Sequence, residues 1–203
     1  MENRLKISVW VLAVIILSAC ESTNKRTVIG TGDIESMKVE LPDFTGVSVI
    51  GTCNVDIIIG EPQSLEFFAQ QEILDVLTYK VVGGILQISF DPDVTVKTEK
   101  EIRAEITIPA LSYIAVTGAG NFLLNGNKQE NLDIFINGVG NVEAYGMIVD
   151  ECTINVSGVG DCKVWVNKTL EVYISGVGNI FYKGNPNLLS EISGTGNVTK
   201  VDI

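Results

Sequence analysis

The residues that most resemble a chemical site form a short glycine-rich motif, Gly176–Asn179 (GVGN), of the kind that can cradle a phosphate. A dinucleotide-binding loop needs a third glycine three residues after the second, followed by a helix. That position is Phe181, and the residues that follow the motif are typical of a strand and not of a helix. Close copies of the motif occur at several other places, whereas a nucleotide site needs one loop. The pattern therefore excludes nucleotide binding and indicates a structural repeat.

Calcium is the next chemistry that the motif suggests, because Ser157–Asp161 (SGVGD) resembles half of a repeat that stacks calcium ions in β-rolls. Calcium needs several hard oxygen ligands. An acid occupies this position only at Asp33 and Asp161, so a turn residue interchangeable with Asn is favoured. The chain contains no His, the commonest general base and transition-metal ligand. We therefore expect neither a metal nor another cofactor.

A polysaccharide-cleaving enzyme is a more distant alternative, because such sites need paired carboxylates at a set separation. The outward positions of the repeats carry a scattered set of charged residues, so no catalytic residues are predicted. These residues are Glu143, Lys163, Glu171 and Glu191.

The N-terminal residues are typical of an export signal. Two basic residues precede an apolar run, Ile7–Leu17, which is too short to span a membrane easily. The run ends in Leu17-Ser18-Ala19-Cys20, which resembles a bacterial lipobox with Cys20 as the lipidated residue. We expect a signal peptide over residues 1–19 and a lipidated polar tether over 20–28. The sequence thus predicts a protein anchored by lipid to the outer membrane, facing the periplasm or the outside.

The charge of the chain limits its partners. After residue 19, 24 acidic and 12 basic residues remain, without a basic run. This balance argues against binding of nucleic acid and against docking on anionic lipid head groups.

Three cysteines remain beyond Cys20. Because the chain has no His to activate a thiol, we expect these cysteines to behave as small buried hydrophobic residues. A disulfide between Cys152 and Cys162 stays open as an alternative.

The glycine repeat has a period of 18 to 21 residues, which is typical of stacked supersecondary units. Aliphatic residues recur two positions before each first glycine and, in most repeats, four positions before it, and a strand-like segment follows the corner. We predict an all-β fold, a parallel β-helix or solenoid, as a single domain over residues 29–203. Residues 29–110 form an irregular part with an antiparallel hairpin at Gly83-Gly84, and 111–203 form the regular coils. The corners are Gly30–Asp33, Gly51–Asn54, Gly118–Asn121, Gly138–Asn141, Gly158–Asp161, Gly176–Asn179 and Gly194–Asn197.

The corner residues have a physical interpretation. Glycine permits positive φ and lets the backbones of adjacent coils approach closely. Asn tolerates the left-handed region, and stacked copies can form a ladder from coil to coil.

Exposed aromatic residues are the best candidates for binding. Tyr145 and Trp165 are predicted to lie outward and side by side on neighbouring coils, and Phe135 and Tyr173 lie outward on the preceding strands, separated by Asn155. Aromatics on a flat sheet bind sugar rings or a partner's apolar patch. Coverage by a loop and a contact between copies of the chain are the alternatives.

The chain resembles the auto-transporter adhesin family with a head GIN domain, which is frequent in lipoproteins of Bacteroidetes-like bacteria. The resemblance runs from about Gly30 to Ile203, through LPDFTGVSVIGTCNVDIIIGE, LTYKVVGGILQISF, EITIPALSYIAVTGAGN and the trailing glycine repeats. It implies an all-β, largely β-helical fold on the envelope, without assigned catalytic residues. We therefore expect a non-enzymatic, adhesin-like binding module, with a glycan or an envelope protein as its partner. A structural or self-associating envelope component is the alternative.

Overall fold

The computed structural model describes residues 25–202. The expected signal peptide and Cys20 lie outside the described residues. Within them, no helix is both long and apolar enough to cross a membrane. Nearly all regular structure is β, which confirms the expected all-β class. The chain runs β1 (Arg26–Ile29), β2 (Glu35–Val39), β3 (Gly46–Val49), β4 (Asn54–Ile59), β5 (Ser64–Ala69), α1 (Gln71–Leu74), β6 (Leu77–Val82), β7 (Ile85–Phe90), β8 (Val94–Lys97), β9 (Arg103–Ile108), β10 (Tyr113–Val116), β11 (Phe122–Gly126), β12 (Gln129–Ile136), β13 (Val142–Val156), β14 (Cys162–Ile174), β15 (Ile180–Lys183), β16 (Asn187–Ile192) and β17 (Val198–Lys200).

The strands form one large, curled, mixed sheet and a separate two-stranded sheet of β1 and β8. Strands that lead into the stacked glycine corners pair in parallel with one another, and β7, which no glycine corner follows, extends this set at one end. We call the set the approach ladder: β7, β3, β10, β12 and the C-terminal parts of β13 and β14, then β16. Strands that leave these corners, extended at one end by β9, form the exit ladder: β9, β4, β11 and the N-terminal parts of β13 and β14, then β15 and β17.

The two ladders enclose one core because β13 and β14 each run from the exit ladder into the approach ladder. The predicted aliphatic columns are present in the observed register. Ile134 pairs with Ile154 and then Val172 on the approach side, and Val142 pairs with Cys162 and then Ile180 on the exit side. These side chains belong to one buried cluster. Burial of such columns supplies most of the stabilisation of the stack, at ~25 cal/mol per Å² of apolar area.

The glycine corners are explained by close approach and not by positive φ. A Cβ on Gly160 would strike the carbonyl oxygen of Gly140, and one on Gly140 would strike that of Gly120. Of the glycines at the stacked corners, only Gly196 has a positive φ. Apart from Gly196, the expectation of positive φ is therefore wrong for these corners. Adjacent coils lie so near one another here that there is no room for a side chain.

The predicted ladder of corner amides is confirmed. The backbone N–H and side-chain amide of Asn141 donate to Oδ1 of Asn121, at 3.0 and 3.1 Å. Asn121 donates in the same way to Asn54 at 2.8 and 3.2 Å, and Asn179 donates to Asp161 at 2.7 and 3.1 Å. Only the backbone of Asp161 donates to Asn141, because a carboxylate has no side-chain proton to give.

The N-terminal half departs from simple stacking. After the coil of β3 and β4, the chain returns to place β7 and β9 on one side of it, and only then adds β10 and β11 on the other side. Antiparallel strands flank this first coil: β6 pairs with β7, while β5 lies between β9 and β2. The hairpin expected at Gly83-Gly84 is confirmed, with φ of 59° and 77°.

Two local expectations for the N-terminal half are corrected. The segment Gly30–Asp33 does not stack with the other corners, because the preceding β1 pairs with β8 in the small sheet. The stretch Ser64–Leu77, whose sequence favours loop and strand over a short helix, contains β5 followed by the short helix α1, whose Ile73 and Leu74 are buried.

Candidate functional site

Phe135, Asn155 and Tyr173 form an open slot on the outer face of the approach ladder. The three residues are direct register partners on β12, β13 and β14. Adjacent strands lie ~4.8 Å apart, so the two aromatic residues stand about 9.6 Å apart across Asn155. All three side chains are half-buried, and they line a depression of about 380 Å³. The smaller Asn155 side chain between the two aromatic residues leaves the depression open to solvent.

The two walls of the slot are held in place by neighbours. The ring centroid of Tyr113 lies 5.4 Å from that of Phe135, at an interplanar angle of 35°. The hydroxyl of Tyr173 donates to Glu171 at 3.2 Å, and this hydrogen bond, with the charge of the carboxylate, raises the pKa of Tyr173. Bracing of this kind reduces the side-chain entropy that binding would remove.

A polar row lies along one side of the slot, at the residue before each glycine corner. The Ser157 hydroxyl donates to the side-chain oxygen of Asn137 at 3.0 Å. Ser175 and Ser193 continue the row and line the same depression. The slot therefore combines aromatic walls with hydroxyl and amide groups, which can donate and accept hydrogen bonds.

Tyr145 and Trp165 are brought together by a lysine. The Lys183 ammonium lies 4.5 Å from the ring centroid of Tyr145 and 5.9 Å from that of Trp165. The two aromatics are not direct register partners, because β13 contains extra residues after Ala144 and Trp165 pairs with Ile148. This second aromatic pair is thus covered by a cation of the chain itself, whereas the slot is open.

A charge cluster that sequence reasoning missed joins three successive coils. Asp150 is buried and lies between Lys128 Nζ at 2.7 Å and Lys168 Nζ at 2.8 Å. Hydrogen bonds from Lys128 and then Lys168 lower the pKa of Asp150 to about 2. Because both lysines contact the same carboxylate, this arrangement links neighbouring strands of the stack.

A second concavity lies on the outer face of the exit ladder. It has a volume of about 1130 Å³ and is formed by β2, β5, β9, β4 and β11, with residues 40–44 as a wall. Sequence reasoning missed this groove because its residues come from strands that are far apart in the chain and partly antiparallel. A period-two alternation in β4, β5 and β9 is the only sequence signal that marks its outward residues.

The cysteines have the properties of buried hydrophobes. Cys53, Cys152 and Cys162 are free and buried, so the structure contains no bond between Cys152 and Cys162. Burial raises the pKa of Cys53 to about 12 and raises the pKa of the other two thiols as well. Among the described residues, no group of three or more His, Cys, Asp or Glu side chains could hold a metal ion.

Comparison with known proteins finds solved structures that are similar to this chain. The chain is similar to a putative adhesin from Bacteroides fragilis NCTC 9343, at 17% identity and a TM-score of 0.54, over 86% of this chain and all of the other. A putative adhesin from Parabacteroides merdae ATCC 43184 has 16% identity and a TM-score of 0.46, over 87% of this chain and all of the other. A putative lipid binding protein from Parabacteroides distasonis ATCC 8503 has 16% identity and a TM-score of 0.44, with the same coverage. At these identities the first similarity supports the fold alone. No curated protein matches the chain.

The family profile described as "putative auto-transporter adhesin, head GIN domain" matches residues 43–134 and 117–186. Its two overlapping matches include the coil of β3 and β4 and most of the parallel coils. The chain belongs to this adhesin-like GIN domain family.

Proposed function

We propose that the protein is a non-enzymatic, adhesin-like binding module, attached to the outer membrane through a lipid on Cys20. In this proposal the stacked coils form a rigid parallel β-solenoid, which presents side chains to a ligand while the residues around 20–28 act as a tether. The family assignment and the lipobox-like sequence support this proposal.

The observation that carries the binding proposal is the open slot between Phe135 and Tyr173. Sugar rings present flat apolar faces to aromatics and hydroxyls to polar groups, and the slot offers both. Glu191 lines it and Glu171 bonds to Tyr173, so a neutral glycan is favoured over an acidic one. Tyr145 and Trp165 are a second proposed contact, which a ligand reaches by displacing Lys183.

A glycan-binding measurement with the full-length acylated protein in nanodiscs tests the proposal. Phe135→Ala/Tyr173→Ala should weaken binding of a neutral glycan at least about tenfold, because two stacking contacts are lost. Tyr145→Ala/Trp165→Ala should weaken it less, because Lys183 already covers these rings. Equal binding by the wild type and the slot variant, or no binding across a broad panel of glycans, would contradict the proposal.

The anchor has its own test. Cys20→Ser should move the protein from the membrane fraction to the supernatant after cell lysis, because the lipid attachment site is lost. Glu21→Ser is the matched control, since it changes the adjacent residue and leaves the thiol in place. Retention of the Cys20 variant in the membrane fraction would contradict lipid anchoring.

One observation favours the alternative of a structural or self-associating component. Val139, Val159 and Val177 form a row along the glycine corners and are 59%, 50% and 49% exposed. Replacing all three with Ser should dissociate an oligomer held by this row, which sedimentation velocity would detect. A monomeric wild-type protein would remove this alternative.

A further inference from the structure

The groove on the outer face of the exit ladder carries an excess of negative charge. Glu66 pairs directly with Glu105, and Glu105 pairs directly with Asp56, on three adjacent strands. Directly opposed side chains on neighbouring strands are close, and like charges there destabilise a sheet. Such a row of carboxylates is therefore unfavourable unless cations lie against it.

The chain itself supplies only part of that positive charge. Arg103 contacts Glu105 at 2.6 Å and Asp56 at 3.3 Å, and Lys38 lies 3.9 Å from Glu66. Glu40 and Asp43 also line the groove. Five carboxylates thus face two cations, and the groove attracts further positive charge.

The floor beside the carboxylates is apolar. Ile58 is 56% exposed and Leu123 is 41% exposed, although both lie on interior strands of the large sheet. Thr107, the register partner of Ile58, is half-buried beside them. Lys and Arg side chains match such a surface, because their alkyl stems cover apolar groups while their charged ends reach carboxylates.

The dimensions of the groove favour an extended chain over a small molecule. Five neighbouring strands form it, so it extends about 19 Å across the sheet at ~4.8 Å per strand. Small-ligand pockets are typically about 300–1,000 Å³ and largely enclosed. An extended segment of about six residues has the required length, at ~3.3 Å per residue.

We propose that this groove binds a lysine- or arginine-rich extended segment of a partner protein. The cationic ends of alternate side chains meet Glu66, Glu105 and Asp56, and their stems lie on Ile58 and Leu123. This site is separate from the slot on the approach ladder, and its occupant is a protein segment and not a glycan. It therefore stands independently of the proposed glycan binding.

A peptide titration tests the groove directly. The probe is fluorescein-labelled acetyl-Lys-Thr-Lys-Thr-Lys-Thr-amide, titrated by fluorescence anisotropy with the full-length protein in neutral detergent. We expect saturable binding that weakens as salt is raised, because the contacts are partly electrostatic. The corresponding Glu-Thr peptide should not bind.

Matched variants distinguish binding in the groove from nonspecific attraction of a cationic peptide to an acidic protein. Glu66→Gln/Glu105→Gln should weaken binding about tenfold, while Glu130→Gln/Glu151→Gln, with the same change in net charge on the coils, should change it less than about twofold. Ile58→Ser/Leu123→Ser should weaken binding about threefold without any change in charge. The first pair relieves repulsion between carboxylates, so it should remain folded, which a thermal melt verifies. Equal weakening by the two charge pairs, or the absence of saturable binding, would overturn the proposal.

Discussion

The C-terminal coils repeat one arrangement in parallel register, whereas the N-terminal half mixes parallel and antiparallel strands around its first coil. In the coils, like residues stack on like, which produces aliphatic columns inside and an Asn ladder at the corner. In the N-terminal half, strand order departs from chain order, and one antiparallel and one parallel pairing place a row of carboxylates on adjacent strands. Regular stacking thus builds a stable frame, while irregular stacking creates the larger groove.

The largest expected effect distinguishes corner glycines from other glycines. Gly160→Ala should lower the free energy of unfolding by more than about 3 kcal/mol or prevent folding. The added Cβ would strike the backbone of Gly140, and the two neighbouring repeats cannot easily move apart to make room for it. Gly60→Ala in the N-terminal half is the control, since its nearest contact would be Thr107 at an ordinary 3.7 Å. Urea unfolding measures both. Similar stabilities for the two variants would show that the coils do not pack as closely as described.

The next effect compares one residue type in two environments. Ile154→Ala should lower the free energy of unfolding by about 3 kcal/mol, because it opens a cavity in a fully buried column. Ile58→Ala should change it by less than about 0.5 kcal/mol, because that side chain faces the groove and is 56% exposed. Urea unfolding of both variants tests this contrast. A large loss from Ile58→Ala would mean that the groove floor is part of the core.

The corner ladder should respond in opposite directions to two changes. Asn141→Ala removes the side-chain bond to Asn121 and the acceptor for the Asp161 backbone, so stability should fall by about 1–2 kcal/mol. Asp161→Asn adds a side-chain donor that can reach Asn141, so stability should rise by about 0.5–1 kcal/mol. Thermal melts of both variants at neutral pH test the pair. A loss of stability in Asp161→Asn would indicate that the carboxylate has a role of its own.

The smallest effect is a dependence on pH that belongs to the coils. The pKa of Asp150 is lowered to about 2 in the folded protein, from an ordinary value of 3.8. Its contribution to stability is therefore fully present above pH ~4 and is lost as pH falls towards 2. Asp150→Asn should flatten this part of the stability curve, measured by urea unfolding between pH 5 and 2. An unchanged slope would show that the ion pairs with Lys128 and Lys168 are not maintained in solution.

Much of the C-terminal architecture follows from local repetition. The spacing of the glycines places Ile134, Ile154 and Val172 in one column, because parallel in-register stacking carries a sequence period directly into space. The amide ladder follows for the same reason. The physical reason for glycine at the corners was predicted only in part, since close approach of neighbouring backbones applies at the stacked corners while positive φ occurs only at Gly196.

The rest depended on contacts between residues far apart in the chain. No local feature of the sequence indicates that β7 and β9 pair with β3 and β4. The segment Gly30–Asp33 has the sequence of a corner but does not stack with the other corners. The cover of Lys183 over Tyr145 and Trp165 depends on a register shift in β13, which a count from each glycine cannot reveal.

By itself, the sequence determined the all-β class, the repeat period, the inward columns and the outward positions of Phe135 and Tyr173, because a side-chain period of two and a nearly constant repeat length need no distant information. The tertiary structure alone decided which aromatics are open, which carboxylates are paired and where the groove lies. These features depend on strand order, and strand order is set by which apolar faces can be buried together over the whole chain.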